Sequence, residues 1–135
     1  MTLKNKLEKE NQHILDNIEV LEHLIAYDKL RDNPVFCGLL KQLTETINDH
    51  LRHEGRSAYK ELLPHKDNGA HEIANQFMNN TNQLHKIMND YAKHWCKAPH
   101  DFKTNEAFID ETKNIFHLVT ERINLEQKKL FPYIE

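Results

Sequence analysis

Residues 36–63 read FCGLLKQLTETINDHLRHEGRSAYKELL, and within them Phe36, Leu39, Leu40, Leu43, Ile47, Leu51, Ala58, Leu62 and Leu63 recur mostly at three- and four-residue steps. That spacing is the period of an α-helix with one apolar face, and it predicts a helix from Asn33-Pro34 to Pro64. At about 100° per residue, His50 and Glu54 fall within about 20° of the direction set by Phe36, Leu43 and Ile47, so both face the core. A histidine and a carboxylate four residues apart lie one above the other on a helix face and can converge on a shared ion. A buried His–Glu hydrogen bond has the same signature. His53 falls off that centre and reads as peripheral.

The same period extends outward along the chain. Leu3, Leu7, Ile14, Ile18, Leu21 and Ile25 mark a first helix running to about Arg31. After a turn at Pro64-His65-Lys66-Asp67-Asn68-Gly69, the residues Ile73, Phe77, Leu84, Met88, Tyr91 and Trp95 mark a third, ended by Lys97-Ala98-Pro99-His100-Asp101. Phe108, Ile109, Ile115, Phe116, Val119, Ile123 and Leu130 mark a fourth, stopped by Pro132. Short connections between long helices force antiparallel neighbours, so the expected architecture is an all-α, up-down-up-down four-helix bundle. With 135 residues, three Gly and four Pro, the chain suits one domain spanning 1–135 and offers few punctuators for strands.

The fourth stripe holds a second internal carboxylate, Glu126, in phase with Phe108, Val119, Ile123 and Leu130. Unpaired buried carboxylates are very costly, so Glu54 and Glu126 together require a metal, a cationic side chain or a shared proton.

These residues carry a resemblance. His50-Leu51-Arg52-His53-Glu54, followed by Ala58-Tyr59-Lys60-Glu61-Leu62-Leu63, resembles the second-helix signature of hemerythrin-like, HHE cation-binding domains, with Lys60 where the family has Pro. Arg122-Ile123-Asn124-Leu125-Glu126, running on to Leu130-Phe131-Pro132, resembles the fourth-helix signature, with Arg122 where the family has His. The resemblance implies a hemerythrin-like bundle with non-haem iron in its core, as a di-iron centre bridged by carboxylates and capped by His. It also implies one His in the middle of the first helix and one in the third. The first-helix place falls on Asn11, since Glu10-Asn11-Gln12-His13-Ile14 stands where the family has Glu-His-x-x-Ile. In the third, His85 fits at the stripe's edge and Thr81 more centrally.

Two registers follow. One takes His13, His50, Glu54, His85, His117 and Glu121, because His117-Leu118-Val119-Thr120-Glu121 is also His-x-x-x-Glu and these positions sit at similar heights for a rise of about 1.5 Å per residue. His117 and Glu121 nevertheless point away from the stripe of Phe116, Val119 and Ile123. The other keeps apolar phase and the Leu-Phe-Pro motif, and takes His50, Glu54 and Glu126 with Arg122, Asn11 and either Thr81 or His85. Phase favours the second. In it, the Arg122 guanidinium stands one turn from Glu126 with reach to Glu54, supplying charge where the family holds metal.

If metal is bound, the resemblance implies iron serving dioxygen or nitric oxide binding, sensing or iron handling, and mixed nitrogen and oxygen donors also suit zinc or manganese. If none is bound, the alternative is a degenerate bundle acting as a structural or interaction module, with Arg122 paired to Glu54 and Glu126. A ferritin-like oxidase expects Glu-x-x-His pairs on two helices, and no pair stands suitably in the core. Interspersed charges summing to −3 leave no basic stripe for nucleic acid or an anionic membrane. The first residues lack the apolar region of a signal peptide, so a cytoplasmic location is expected, with Cys37 and Cys96 reduced and acting as two small hydrophobes. Ser57 and Cys96 lack an oriented partner for nucleophilic catalysis. Tyr27, Tyr59, Tyr91 and Trp95 read as core or core-edge residues, and His23, His65, His71, His94 and His100 as solvated ones.

Overall fold

The computed structural model describes residues 2–27, 33–64, 68–97, 102 and 105–134. Among them every extended element is helical. Helix α1 is Leu3–Ala26, capped by Thr2, whose hydroxyl accepts from the Asn5 N–H at 3.1 Å. Helix α2 is Asn33–Glu54 and continues through a π-helical turn, Gly55–Tyr59, into a last α-helical turn, Lys60–Leu62. Helix α3 is Asn68–Cys96. Helix α4 is Glu106–Leu125, capped by the Asn105 side chain, and it continues as a π-helical segment, Glu126–Leu130, and a 3-10 turn, Phe131–Tyr133.

Each helix packs on two others: α1 and α3 both lie against α2 and α4. The apolar faces read from the sequence meet inside this ring, but the core is in two parts. A larger cluster gathers Ile14, Ile18, Leu21, Leu43, Ile47, Met88, Val119 and Ile123 with the rings of Phe36, Trp95, Phe102 and Phe108. A smaller one joins Leu7, Ala58, Leu62, Ala74, Phe77, Leu130 and Phe131. The side chains of Asn11, His50, Glu54, Arg122 and Glu126 are buried too, and they belong to neither cluster.

Three expectations need correction. Cys37 and Cys96 are joined in a disulfide rather than reduced, because the start of α2 and the end of α3 meet with Cα atoms 5.8 Å apart, inside the span a disulfide bridges. They do pack against the larger core cluster, as small hydrophobes would. Tyr27 stands 55% exposed just past the end of α1, where its backbone has turned from helical to extended. The second and fourth helices are not regular to their ends, since each carries a π-helical turn at or just after its inward carboxylate. The stretch between Tyr27 and Asn33, together with His65 and His100, lies outside the described residues. Among the described residues no helix is long and apolar enough to cross a membrane.

Candidate functional site

Glu54 and Glu126 project into the bundle from the junctions where α2 and α4 pass into their π-helical turns. His50 lies one turn before Glu54 and Arg122 one turn before Glu126, so each carboxylate shares its helix face with a cation donor four residues back. Both carboxylates are fully buried, and His50 and Arg122 are 3% exposed.

Arg122 is the most heavily bonded of the group. Its Nε donates to Glu126 Oε2 at 2.8 Å. Nη1 donates to Asn80 Oδ1 at 2.7 Å and to the Phe77 carbonyl at 3.2 Å, while the guanidinium stacks 4.8 Å from the Phe77 ring centroid. Nη2 reaches the Tyr59 hydroxyl at 2.6 Å, Thr81 Oγ1 at 3.0 Å and, more distantly, Glu54 Oε1 at 3.4 Å. The Tyr59 hydroxyl in turn donates to Glu54 Oε1 at 3.0 Å. Burial pushes that phenol up, and the Glu54 charge adds to it, so it remains a neutral donor. A planar fork with fixed donors suits such a site better than a flexible ammonium.

His50 is enclosed by acids. Nδ1 faces Glu10 Oε1 at 2.7 Å, and Nε2 faces Glu126 Oε1 at 2.9 Å and Glu54 Oε2 at 3.0 Å. Ionised carboxylates only accept, so both ring nitrogens carry protons and His50 is an imidazolium. Burial opposes that charge, but hydrogen bonds to Glu126 and Glu54 and their negative charges outweigh it, pushing the imidazole up to about 10. Glu10 also accepts from Nδ1 of the half-exposed His53 at 2.6 Å, so it ties the layer to the surface. Asn11 donates its amide to Glu126 Oε1 at 3.0 Å.

The two buried carboxyls divide the available charge unequally. Burial and the neighbouring Glu126 raise Glu54 to about 7, against the opposing pull of His50 and Arg122. For Glu126, burial is overcome by the His50 hydrogen bond and charge and by Arg122, which bring it down to about 2. The arrangement is an acid–carboxylate pair holding one proton at mildly acidic pH. With that proton in place, His50 and Arg122 balance Glu126 and Glu10.

The structure therefore gathers His50, Glu54 and Glu126, whose ligand atoms all lie within 4.8 Å of one another. It does not bring His85 into that group; Thr81, one turn earlier on α3, points at Arg122 instead. His13 lies on the exposed side of α1, where with Glu10, Asp49 and His50 it lines a solvent-open cavity of about 430 Å³. His117 and Glu121 pair with each other at 3.3 Å on the outer face of α4, with side chains 66% and 61% exposed. Glu10, Tyr59 and Asn80 are members of the layer that the apolar phase did not single out.

A di-iron centre does not fit these residues. The guanidinium of Arg122 touches both buried carboxylates, and among the described residues His50 is the one imidazole grouped with them, too few nitrogen donors for two irons. That imidazole faces acids at both nitrogens, so a metal there would have to displace a proton from it. Compared with models of known protein families, with curated proteins and with solved structures, the chain matches none.

Proposed function

We propose that the chain is a hemerythrin-like, up-down-up-down four-helix bundle in which a buried ion-pair layer takes the place of a di-iron centre, and that it serves as a structural or interaction module. The observation that carries this reading is Arg122, buried between Glu54 and Glu126 with every side-chain nitrogen hydrogen-bonded. A permanent cation at that point, with the His50 imidazolium beside it, offsets the charge of the carboxylates and disfavours a metal ion between them. The ring of helix neighbours and the two motif-bearing helices support the hemerythrin-like topology. A cytoplasmic setting belongs to the same proposal, and there the disulfide would meet a reducing thiol pool.

Metal analysis of protein expressed with added iron tests it. The expected result is well under one iron per chain and no oxo-bridge absorption, while two irons per chain with that band would overturn the reading. Arg122→His should raise iron content, because it removes the fixed cation and restores an imidazole one turn from Glu126.

A second reading rests on two buried oxygens: Asn11 Oδ1, which has no hydrogen-bond partner, and Glu54 Oε2, whose one close polar neighbour, His50 Nε2 at 3.0 Å, lies out of line for a good hydrogen bond. Glu54 Oε2 with Glu126 Oε1 and a deprotonated His50 Nε2 would hold a single divalent ion, such as zinc, manganese or iron, in exchange for the imidazolium proton. The same metal analysis separates the two, since this reading requires one ion per chain that His50→Ala abolishes. Dioxygen or nitric oxide as ligands would require iron in that position.

A further inference from the structure

The disulfide is not sealed in the core. Cys37 and Cys96 are both half-buried, and together they form one wall of a solvent-open cavity of about 510 Å³ between α2 and α3. The cavity exists because the residues beside the sulfurs are small: Ala92 faces it, and a Cβ added at Gly38 would meet nothing within 4 Å. Its charged lining is strongly one-sided. Lys41, Lys93 and Lys97 all contribute to it, each exposed, against Glu45 alone.

A disulfide accessible from solvent among ammonium groups has a definite chemistry. Thiolates, not thiols, attack disulfides, and nearby cations both favour the thiolate form and draw in anions. From these observations we infer that the cavity is a thiol–disulfide exchange site for small thiols bearing carboxylates. The sulfur of Cys96, last residue of α3, lies between Lys93 and Lys97 in sequence, so those two ammoniums are placed to hold the carboxylates of an attacker. Cys37 lies one turn into α2, nearer the positive end of its helix dipole, and is the better leaving thiolate.

The steps balance. An incoming thiolate forms a bond to Sγ of Cys96 as the Cys37–Cys96 bond breaks, and Cys37 leaves as a thiolate. A second small thiolate attacks the small-thiol sulfur of the mixed disulfide, releasing the oxidised small-molecule disulfide and the Cys96 thiolate. Two electrons pass from the two small thiols to the protein, and two protons from solvent complete the protein dithiol. Reduction unclasps α2 from α3 beside the cavity while the apolar cluster beneath still holds the helices together.

The test uses the full-length oxidised chain and three probes: 3-mercaptopropionate (anionic), 2-mercaptoethanol (neutral) and cysteamine (cationic). Reduction rates are divided by each probe's thiolate concentration. The anionic probe should react about tenfold faster than the cationic one at low ionic strength, with the difference shrinking in salt. The Lys41→Gln, Lys93→Gln, Lys97→Gln triple variant should abolish the preference, and a charge-reversed triple variant with Glu should invert it. Peptide mapping of acid-quenched samples should find the mixed disulfide on Cys96. Rates that follow only the intrinsic nucleophilicity of each probe, unchanged by the lysine substitutions, would overturn the assignment. So would an oxidised preparation that still contains two free thiols.

Discussion

Two regions of one interior hold the bundle together by opposite means. Around Phe108 the rings of Phe36, Trp95 and Phe102 lie with centroids 5.1, 5.3 and 4.0 Å away, and the charge that meets them stands at the edge, where the Trp95 indole N–H donates to Glu111 at 2.6 Å. Beyond Ile14 and Ile123 the packing gives way to a layer in which Asn11, His50, Glu54, Arg122 and Glu126 are as buried as those rings. Apolar contacts are many and individually weak, so a volume-conserving change redistributes them. In the polar layer each group depends on particular partners, and losing one strands the others without water to replace it.

The sharpest way to break this contrast is a pair of single substitutions. Arg122→Ala leaves Glu54 and Glu126 facing each other with His50 as the one buried cation left to them among the described residues, and should cost about 3–5 kcal/mol in urea denaturation at pH 7. Phe108→Leu keeps an apolar group but gives up the ring contacts to Phe36, Trp95 and Phe102, and should cost about 1–2 kcal/mol. If the phenylalanine change proves the more damaging, the polar layer is not what fixes the structure.

The aromatic end owes part of its stability to a covalent tie. Phe36 precedes Cys37 and Trp95 precedes Cys96, so the disulfide is anchored directly beside the ring cluster and spans 59 positions of sequence. Replacing both cysteines by Ser should lower stability by about 2–4 kcal/mol, chiefly by freeing the unfolded chain. Denaturation of the oxidised and reduced wild-type chain should show the same difference.

Much of this contrast was legible in the sequence. Apolar phase alone places His50, Glu54 and Glu126 inside, and the same phase puts Asn11 rather than His13 on the inner face of α1. Other features depend on geometry that an α-helical period misrepresents. At about 100° per residue Tyr59 lies about 140° around the helix from Glu54, yet the π-helical turn between them, with its i→i+5 bonding, brings the hydroxyl back to the carboxylate. Glu10 stands at the edge of its stripe, where a half-exposed carboxylate looks like any solvated one until His50 and His53 are seen on either side. Phe102 sits in a connection with no period at all, and two cysteines 59 residues apart carry no signal of meeting.

A proton sharpens the comparison further, because only one of the two regions titrates. His50, raised to about 10, contributes stability that is complete below pH 6.5 and lost as pH rises toward that value. Glu54, raised to about 7, is a carboxyl that the folded chain keeps protonated longer than the unfolded chain does. It therefore weakens the fold as pH rises from 4.5 through 7. Glu126, lowered to about 2, stabilises above 4.5 and loses that contribution as pH falls toward 2. Stability should thus peak at about pH 5 and fall on the alkaline side by at most about 1.4 kcal/mol per pH unit for each proton involved. Glu54→Gln mimics the protonated acid. It should match the wild type near pH 5 and exceed it at pH 8 in thermal melts, and a Gln variant less stable at pH 8 would show that Glu54 works as a carboxylate.

The smallest effect should come from the other His-x-x-x-Glu pair of α4. His117 and Glu121 have the same spacing as His50 and Glu54, but they face solvent, where water and salt screen the pair and each side chain retains its hydration. His117→Ala should change stability by no more than about 0.5 kcal/mol and leave the pH of maximum stability where it is. His50→Ala, with the same spacing and the same chemistry, strips a cation from between three carboxylates and should cost several times as much. The motif is identical in the two places, so the ratio of the two losses measures what burial, together with the added carboxylates Glu10 and Glu126, contributes to it.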